Sequence, residues 1–307
     1  LPDWVTHLGT TYIASQAGFR IRPGLTAQDN VRHLFIGALL PDATRFTIIL
    51  VDVLDWPAIP TFTYLIPFHS LLITALLGGM VALLLPSNQG SSRSAFGSIM
   101  AGAVFHFLLD DLEGWVGCGS TTFYPFYFGK PISGWNSEGN VAAMLLVVAA
   151  IALGVALSQR QRWAVVRLRL TRLRLIGALA LLTGAILLPL FFRQWMIGGN
   201  AYYLAFIQQP DAFAGQSVEL CFSEVIATDP PVIEEFDSPF ELQTSETLRA
   251  GEWVSVRGLY ENGVICPTVL IRHRGFSDVS LSLIAAVVFV FLVFDWKWLR
   301  AFARQRD

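Results

Sequence analysis

Apolar positions in this chain gather into long blocks over most of its length and switch to alternation in one stretch only. Residues 66–85, 95–112, 141–157, 175–192 and 279–294 are apolar runs that reach or approach the roughly 17–25 residues a helix needs to cross a bilayer. Two earlier pieces, 4–19 and 34–40, are shorter and are expected to insert as short or broken helices among the longer ones. Between 210 and 274 the period drops to two, as in Val218-Glu219-Leu220-Cys221-Phe222, Phe240-Glu241-Leu242 and Val269-Leu270-Ile271-Arg272. Asn262-Gly263 between two such runs is a hairpin signal. The expected fold is therefore mainly α, a polytopic helical membrane domain with an inserted small β-barrel resembling an oligonucleotide/oligosaccharide-binding (OB) fold. Residues 1–200 would form the helical domain, 210–275 the extracytoplasmic barrel, and 277–307 a C-terminal transmembrane helix with a cytoplasmic tail.

Composition agrees with the pattern. With 54% hydrophobic and 14% charged residues, the chain is too apolar for an ordinary soluble enzyme. A net charge of -2 hides an uneven distribution. Arg160, Arg162, Arg167, Arg169, Arg172 and Arg174 crowd one loop, and Lys297, Arg300, Arg304 and Arg306 follow the last apolar run. The positive-inside rule makes both cytoplasmic, which places the 112–140 loop and the barrel outside a multi-pass protein of the inner or plasma membrane. The first apolar stretch lacks a basic start and contains His7, so it does not read as a cleavable signal peptide. No basic domain interleaved with aromatics appears, so nucleic acid is not an expected partner. Cys118, Cys221 and Cys266 form no CxxC pair, which argues against a zinc ribbon or thioredoxin-type site. Cys221 and Cys266 could pair in an oxidising compartment.

The candidate chemistry lies in the apolar blocks themselves. His106 and Asp110 stand four apart, on one helix face, where an imidazole and a carboxylate can chelate one ion or simply hydrogen-bond. Ionisable groups inside such segments are expensive to bury and point to function. In the expected topology His7, Asp42, His69, His106 and Asp110 all fall near outer helix ends, and three histidines with two aspartates compose a metal site. Asp111 and Glu113 could act as general base or supporting carboxylates, or be explained by interfacial solvation. Ser70 reads as a packing hydroxyl, His33 and His273 as bystanders, and 123–128 as an interfacial aromatic belt.

Thr6-His7, Gly37-Ala38-Leu39-Leu40-Pro41-Asp42, His69-Ser70, His106-Phe107-Leu108-Leu109-Asp110 and Thr121-Thr122-Phe123-Tyr124-Pro125-Phe126 occur in an order that resembles the YdjM-like family of membrane-bound metal-dependent hydrolases. That family is itself similar to zinc-dependent phospholipase C and to single-strand-specific zinc nucleases. Where it carries a His-Arg-Gly-containing stretch, this chain has Leu65-Ile66-Pro67-Phe68 before His69-Ser70. The resemblance implies that Asp42, His69, His106 and Asp110 hold one zinc, with Asp110 bridging to a second ion partly held by His7. One or two zinc ions are expected, with manganese as the alternative metal, and Asp110 and Asp111 are the candidate catalytic carboxylates. The implied activity is hydrolysis of a phosphoester in a phospholipid or lipid-linked substrate by a zinc-activated water. Membrane lipids and that substrate are the expected partners. The rival is a non-enzymatic membrane scaffold, its His/Asp set a structural metal clip and its outer β domain binding a protein partner. A transporter would call for a broken-helix repeat, which the sequence lacks.

Overall fold

A computed structural model describes residues 4–21, 27–44, 64–86, 91–112, 122–126, 140–159, 168–193, 206–273 and 276–293. Its helices are α1 (Trp4–Ile21), α2 (Ala27–Leu39), α3 (Leu71–Leu84), α4 (Ser92–Leu112), α5 (Asn140–Gln159), α6 (Arg172–Phe191) and α7 (Phe276–Val293). Side chains are described for all but 18–21, 27–30, 111–112, 140–143 and 276–279 of these.

Local chemistry cuts the apolar blocks into these helices. A 3-10 turn, Ile66–Phe68, carries Pro67, and Ser70 follows in an extended conformation with its hydroxyl accepting from the Ile73 amide. This cap satisfies one of the orphan amides at a helix start, so α3 begins at Leu71 and not at Ile66. Helix α2 reaches further back than its apolar run because two polar side chains in it find partners at other helix ends. The Arg32 guanidinium donates to the Val293 carbonyl at 2.8 Å, at the end of α7. The His33 ring donates through Nε2 to the Leu85 carbonyl at 2.7 Å, at the end of α3. Carbonyls left over by a helix C-terminus thus receive basic groups, which suits the helix dipole.

Helix α2 packs along α4, α1 along α5, and α3 along α6. The first of these contacts is backbone to backbone: a Cβ on Gly37 would collide with the Ile99 carbonyl, and one on Gly102 with the Leu34 carbonyl. Leu8, Tyr12, Val31, Phe35, Ile99, Leu153 and Leu292 form the centre of the helical core. Helices α3 and α6 run antiparallel. At one end Arg174 donates to the Leu83 carbonyl and the Arg169 amide to that of Leu84. At the other end the Tyr64 hydroxyl donates to the Ile186 carbonyl at 3.0 Å.

The expectation of a mainly α fold with a polytopic helical membrane domain is corrected here. Among the described residues one helix, α6, is both long and apolar enough to cross a membrane. Only 17% of its most apolar segment is buried, so it is not the core helix of the bundle. The apolar parts of the other expected spans come out short, as Leu71–Leu84, Met144–Gln159 and Ser280–Val293. Fourteen residues in α3 span about 21 Å at 1.5 Å each, against about 30 Å of hydrocarbon. The run expected at 95–112 lies in α4, which carries Arg93 near its start and Asp110 near its end. The architecture is mixed α/β, helices together with a small barrel.

That barrel comprises β1 (Gln216–Thr228), β2 (Pro231–Glu235), β3 (Ser238–Leu242), β4 (Trp253–Glu261) and β5 (Val264–His273). It closes in the order β1-β2-β3-β5-β4, with β4 returning to β1. All pairings are antiparallel except β3 with β5. Inward positions Val218, Leu220, Val225, Ile233, Leu242, Val254, Val256 and Ile265 fill it. Asn262 and Gly263 turn the β4–β5 hairpin with φ of 52° and 85°, the left-handed pair that a two-residue turn matching strand twist requires. The Cys221–Cys266 pairing that the sequence left open does not form. Cys266 is a free thiol donating to Gln243 Oε1 at 3.3 Å, whereas Cys221 is disulfide-bonded elsewhere. Cys221 lies on β1 and Cys266 on β5, strands that are not neighbours in the barrel.

Candidate metal centre

Five ionisable side chains from four stretches of chain meet beside the N-terminal end of α3. His7 projects from the first turns of α1 and is fully buried. Asp42 sits in the turn that ends α2, its amide donating to the Leu39 carbonyl, and is also buried. His69 closes the 3-10 turn before α3 and is a quarter exposed. His106 and Asp110 share a face of α4. The structure thus brings His7, Asp42, His69, His106 and Asp110, the set expected from the sequence, into one cluster.

His69 Nε2 lies 2.9 Å from Asp110 Oδ2, 3.5 Å from Asp42 Oδ1 and 3.1 Å from His106 Nε2. His106 Nε2 lies 3.2 Å from Asp110 Oδ2 and 3.8 Å from Asp42 Oδ1. His7 Nε2 faces the other oxygen of Asp110, Oδ1, at 3.3 Å, and its ring stacks on that of His106 with centroids 3.9 Å apart. Phe107 sets its edge against His69, with centroids 5.0 Å apart.

Two further groups orient the cluster. A carbonyl can only accept, so the 2.7 Å contact between His106 Nδ1 and the Ala38 oxygen makes Nδ1 the protonated nitrogen. Nε2 then turns toward the carboxylates. The indole of Trp4 donates through Nε1 to Asp42 Oδ2 at 2.9 Å and leaves Oδ1 toward the histidines. Neither group was singled out from the sequence. Trp4 did carry a signal, standing three residues before His7 on the same helix face.

The donor set fits a cation. Both oxygens of Asp110 and both ring nitrogens of His7 are buried without a hydrogen-bond partner. Such atoms cost on the order of 1–3 kcal/mol each unless something occupies the space between them. A neutral His106 presents a lone pair to carboxylate oxygens that also offer only lone pairs, an arrangement that only a proton or a metal ion relieves. Zinc bonds of about 2.0–2.1 Å to nitrogen and oxygen imply donor separations near 3.3–3.4 Å in a tetrahedron. The measured separations among His69, His106, Asp42 and Asp110 bracket that value. Among the described residues two triads could hold an ion, His7 with Asp42 and His106, and His69 with His106 and Asp110. Because Ala38 occupies Nδ1, His106 has one nitrogen to give and can serve one ion only.

The side chain of Asp111 and the whole of Glu113 lie outside the described residues, as do Thr121 and 127–128 of the aromatic run. Ser70 is the α3 cap. His33 sits at the far end of α3. His273 belongs to the barrel, where it stacks on Phe222 with centroids 4.0 Å apart and shares a 2.7 Å hydrogen bond with Ser255. Burial lowers its pKa to about 4.

A buried His/Asp cluster with the donor set of a metal site thus stands in a chain that also carries one helix long and apolar enough to span a bilayer and a small closed barrel, and these define a protein with a candidate metal centre. The family model described as YdjM inner membrane protein matches residues 3–196, more than half of the chain, and the chain belongs to that family. The matched part holds all five cluster residues and ends before the barrel. No curated protein and no solved structure matches the chain.

Proposed function

We propose that this inner-membrane protein is a metal-dependent hydrolase that cleaves a phosphoester in a phospholipid or lipid-linked substrate. The observation that carries the proposal is the convergence of three imidazoles and two carboxylates on one point, with both Asp110 oxygens buried and without a hydrogen-bond partner. His69, His106, Asp42 and Asp110 would hold one zinc, and Asp110 Oδ1 with His7 would reach toward a second. When bound, zinc supplies Lewis acidity toward phosphoryl oxygen and lowers the pKa of a water to roughly 7.

The chain's own groups do the positioning. Trp4 and Ala38 hold Asp42 and His106 in orientation. His69, the most exposed of the five, marks the side from which substrate arrives. Asp110 is the shared carboxylate, and Asp111, next along the chain, is the proposed general base. The cluster lies at the end of α6 opposite Arg169, Arg172 and Arg174. With the arginines on the cytoplasmic side, the cluster and the barrel after α6 face outward. The barrel's strand order and its one parallel pairing support the OB-like reading, and we assign it the role of a lid or partner-binding module.

One observation favours the rival clip. Four protein donors at tetrahedral separations can close a zinc site, as structural sites do, whereas catalytic sites keep a position open. Metal analysis joined to an activity assay separates the two readings. The purified protein should contain one or two zinc ions, lose them to a chelator, and hydrolyse phosphodiesters only when loaded. His106→Ala and Asp110→Ala should lose metal and hydrolysis together while the barrel stays folded. Full activity in either variant sinks the enzyme reading, and bound zinc without hydrolysis selects the clip.

A further inference from the structure

We infer that the Thr122–Phe126 turn and Phe191 form an apolar lip beside the His/Asp cluster that beds in phospholipid acyl chains, so that substrate reaches the cluster from the membrane plane. The lip itself stands on geometry alone, and only its role in presenting substrate rests on the hydrolase reading.

The turn is anchored on both sides. The Leu71 amide donates to the Thr122 carbonyl at 2.9 Å, which ties the turn to the start of α3, two residues after His69. Tyr124, 1% exposed, sets its ring edge-on to Phe192 with centroids 6.2 Å apart. Phe192 is the residue that caps α6. The turn therefore bridges the entrance of the cluster and the end of the one described helix that can span a bilayer.

What the turn leaves outside is the informative part. Thr122, Tyr124 and Pro125 are buried, while Phe123 is 43% and Phe126 82% exposed. Phe191, at the end of α6, is 81% exposed. Covering a phenylalanine side chain is worth about 1.5–3 kcal/mol, so three open rings around one anchored turn call for a partner. Continuity with α6 says which one. Leu187 and Leu190 carry the same exposed apolar surface up to Phe191. Twenty residues of α6 rise about 30 Å, the thickness of the hydrocarbon layer, which puts Phe191 at its boundary. Arg193 stands exposed just beyond, where a guanidinium meets lipid phosphate. Aromatic rings followed by a cation are the side chains that settle at a membrane interface.

The test uses the full-length protein in vesicles of phosphatidylethanolamine and phosphatidylglycerol. Phe126→p-benzoylphenylalanine and Phe191→p-benzoylphenylalanine are irradiated and the products read by mass spectrometry, with Ile226→p-benzoylphenylalanine on the barrel as the control. Lipid adducts at positions 126 and 191 and none at 226 are expected. Protein adducts in place of lipid at 126, or lipid adducts equally at 226, overturn the lip. A second arm compares vesicle phospholipid with a short-chain soluble phosphodiester. Phe123→Ser combined with Phe126→Ser should lower turnover of vesicle lipid about tenfold or more, with the soluble substrate and metal content unchanged. Equal loss on both substrates overturns presentation from the membrane. If the wild type cleaves neither substrate, the hydrolase reading fails while the cross-links still decide the lip.

Discussion

His106 donates from Nδ1 to the carbonyl of Ala38 at 2.7 Å, and this bond decides which nitrogen of the ring faces the cluster. The bond exists because α2 and α4 touch backbone to backbone at Gly37 and Gly102, where any Cβ would strike a carbonyl of the opposite helix. Gly37→Ala and Gly102→Ala should therefore push the helices apart. Overpacking of this kind costs about 1–3 kcal/mol, and the same shift should release His106 and weaken metal binding. Gly97→Ala in α4 is the control, since the added carbon meets nothing within 4 Å beyond its own turn of helix. There the melting temperature should hold or rise, and metal affinity should not change. Calorimetry and a chelator competition on the three variants check both readouts.

Trp4 and Asp42 give a narrower prediction. The indole fixes one carboxylate oxygen at 2.9 Å and so aims the other at the histidines. Trp4→Phe keeps an aromatic ring in the buried position and removes only the donor. Outer groups that orient ligands are typically worth 10–100-fold in metal affinity, so zinc should bind roughly that much more weakly in the variant. An unchanged dissociation constant would mean that Asp42 is held by backbone geometry alone.

The cluster was legible in the sequence because its cost is. Three histidines and two aspartates inside apolar blocks, at helix ends, have few uses other than meeting one another. The barrel was legible because alternation and Asn262-Gly263 are local signals that survive any tertiary arrangement. Helix lengths were not, since an apolar run does not show where a cap will start the helix: Ser70 removes the first turn of one expected span. The extent of α2 was hidden as well, because Arg32 and His33 are made tolerable in a buried helix by carbonyls at the ends of α7 and α3. The same holds for Cys221 and Cys266, whose separation follows from a strand order that spacing alone does not contain.

In the barrel, His273 makes stability depend on acid. Burial holds its pKa at about 4, below the roughly 6.5 of an unfolded chain. Between those values the unfolded state binds more protons than the folded one, so stability is full above about pH 6.5 and falls as pH drops toward 4. Hydrogen exchange in the strands Trp253–Glu261 and Val264–His273 should quicken over that window in the full-length protein. His273→Phe, which cannot be protonated, should flatten the dependence. A dependence that survives the substitution would assign the acid sensitivity to other groups.

Asp110 offers the sharpest test of what fills the cluster. Its two oxygens are buried acceptors, surrounded by His7, His69 and His106 at 2.9–3.3 Å. If zinc belongs there, the metal-free wild type carries uncompensated lone pairs, and loading should stabilise it by about 2.7 kcal/mol at a hundredfold excess over the dissociation constant. Asp110→Asn replaces one acceptor with an amide donor. The variant should then melt higher than the metal-free wild type, because a donor now meets the facing lone pairs, yet gain nothing from added zinc. A proton in place of the metal predicts the reverse. The wild type would then hold an imidazolium against a carboxylate, and removing that charge would leave a buried cation unpaired and lower the melting temperature. Thermal unfolding of the two proteins, each with chelator and with zinc, distinguishes these cases without recourse to any assay of turnover.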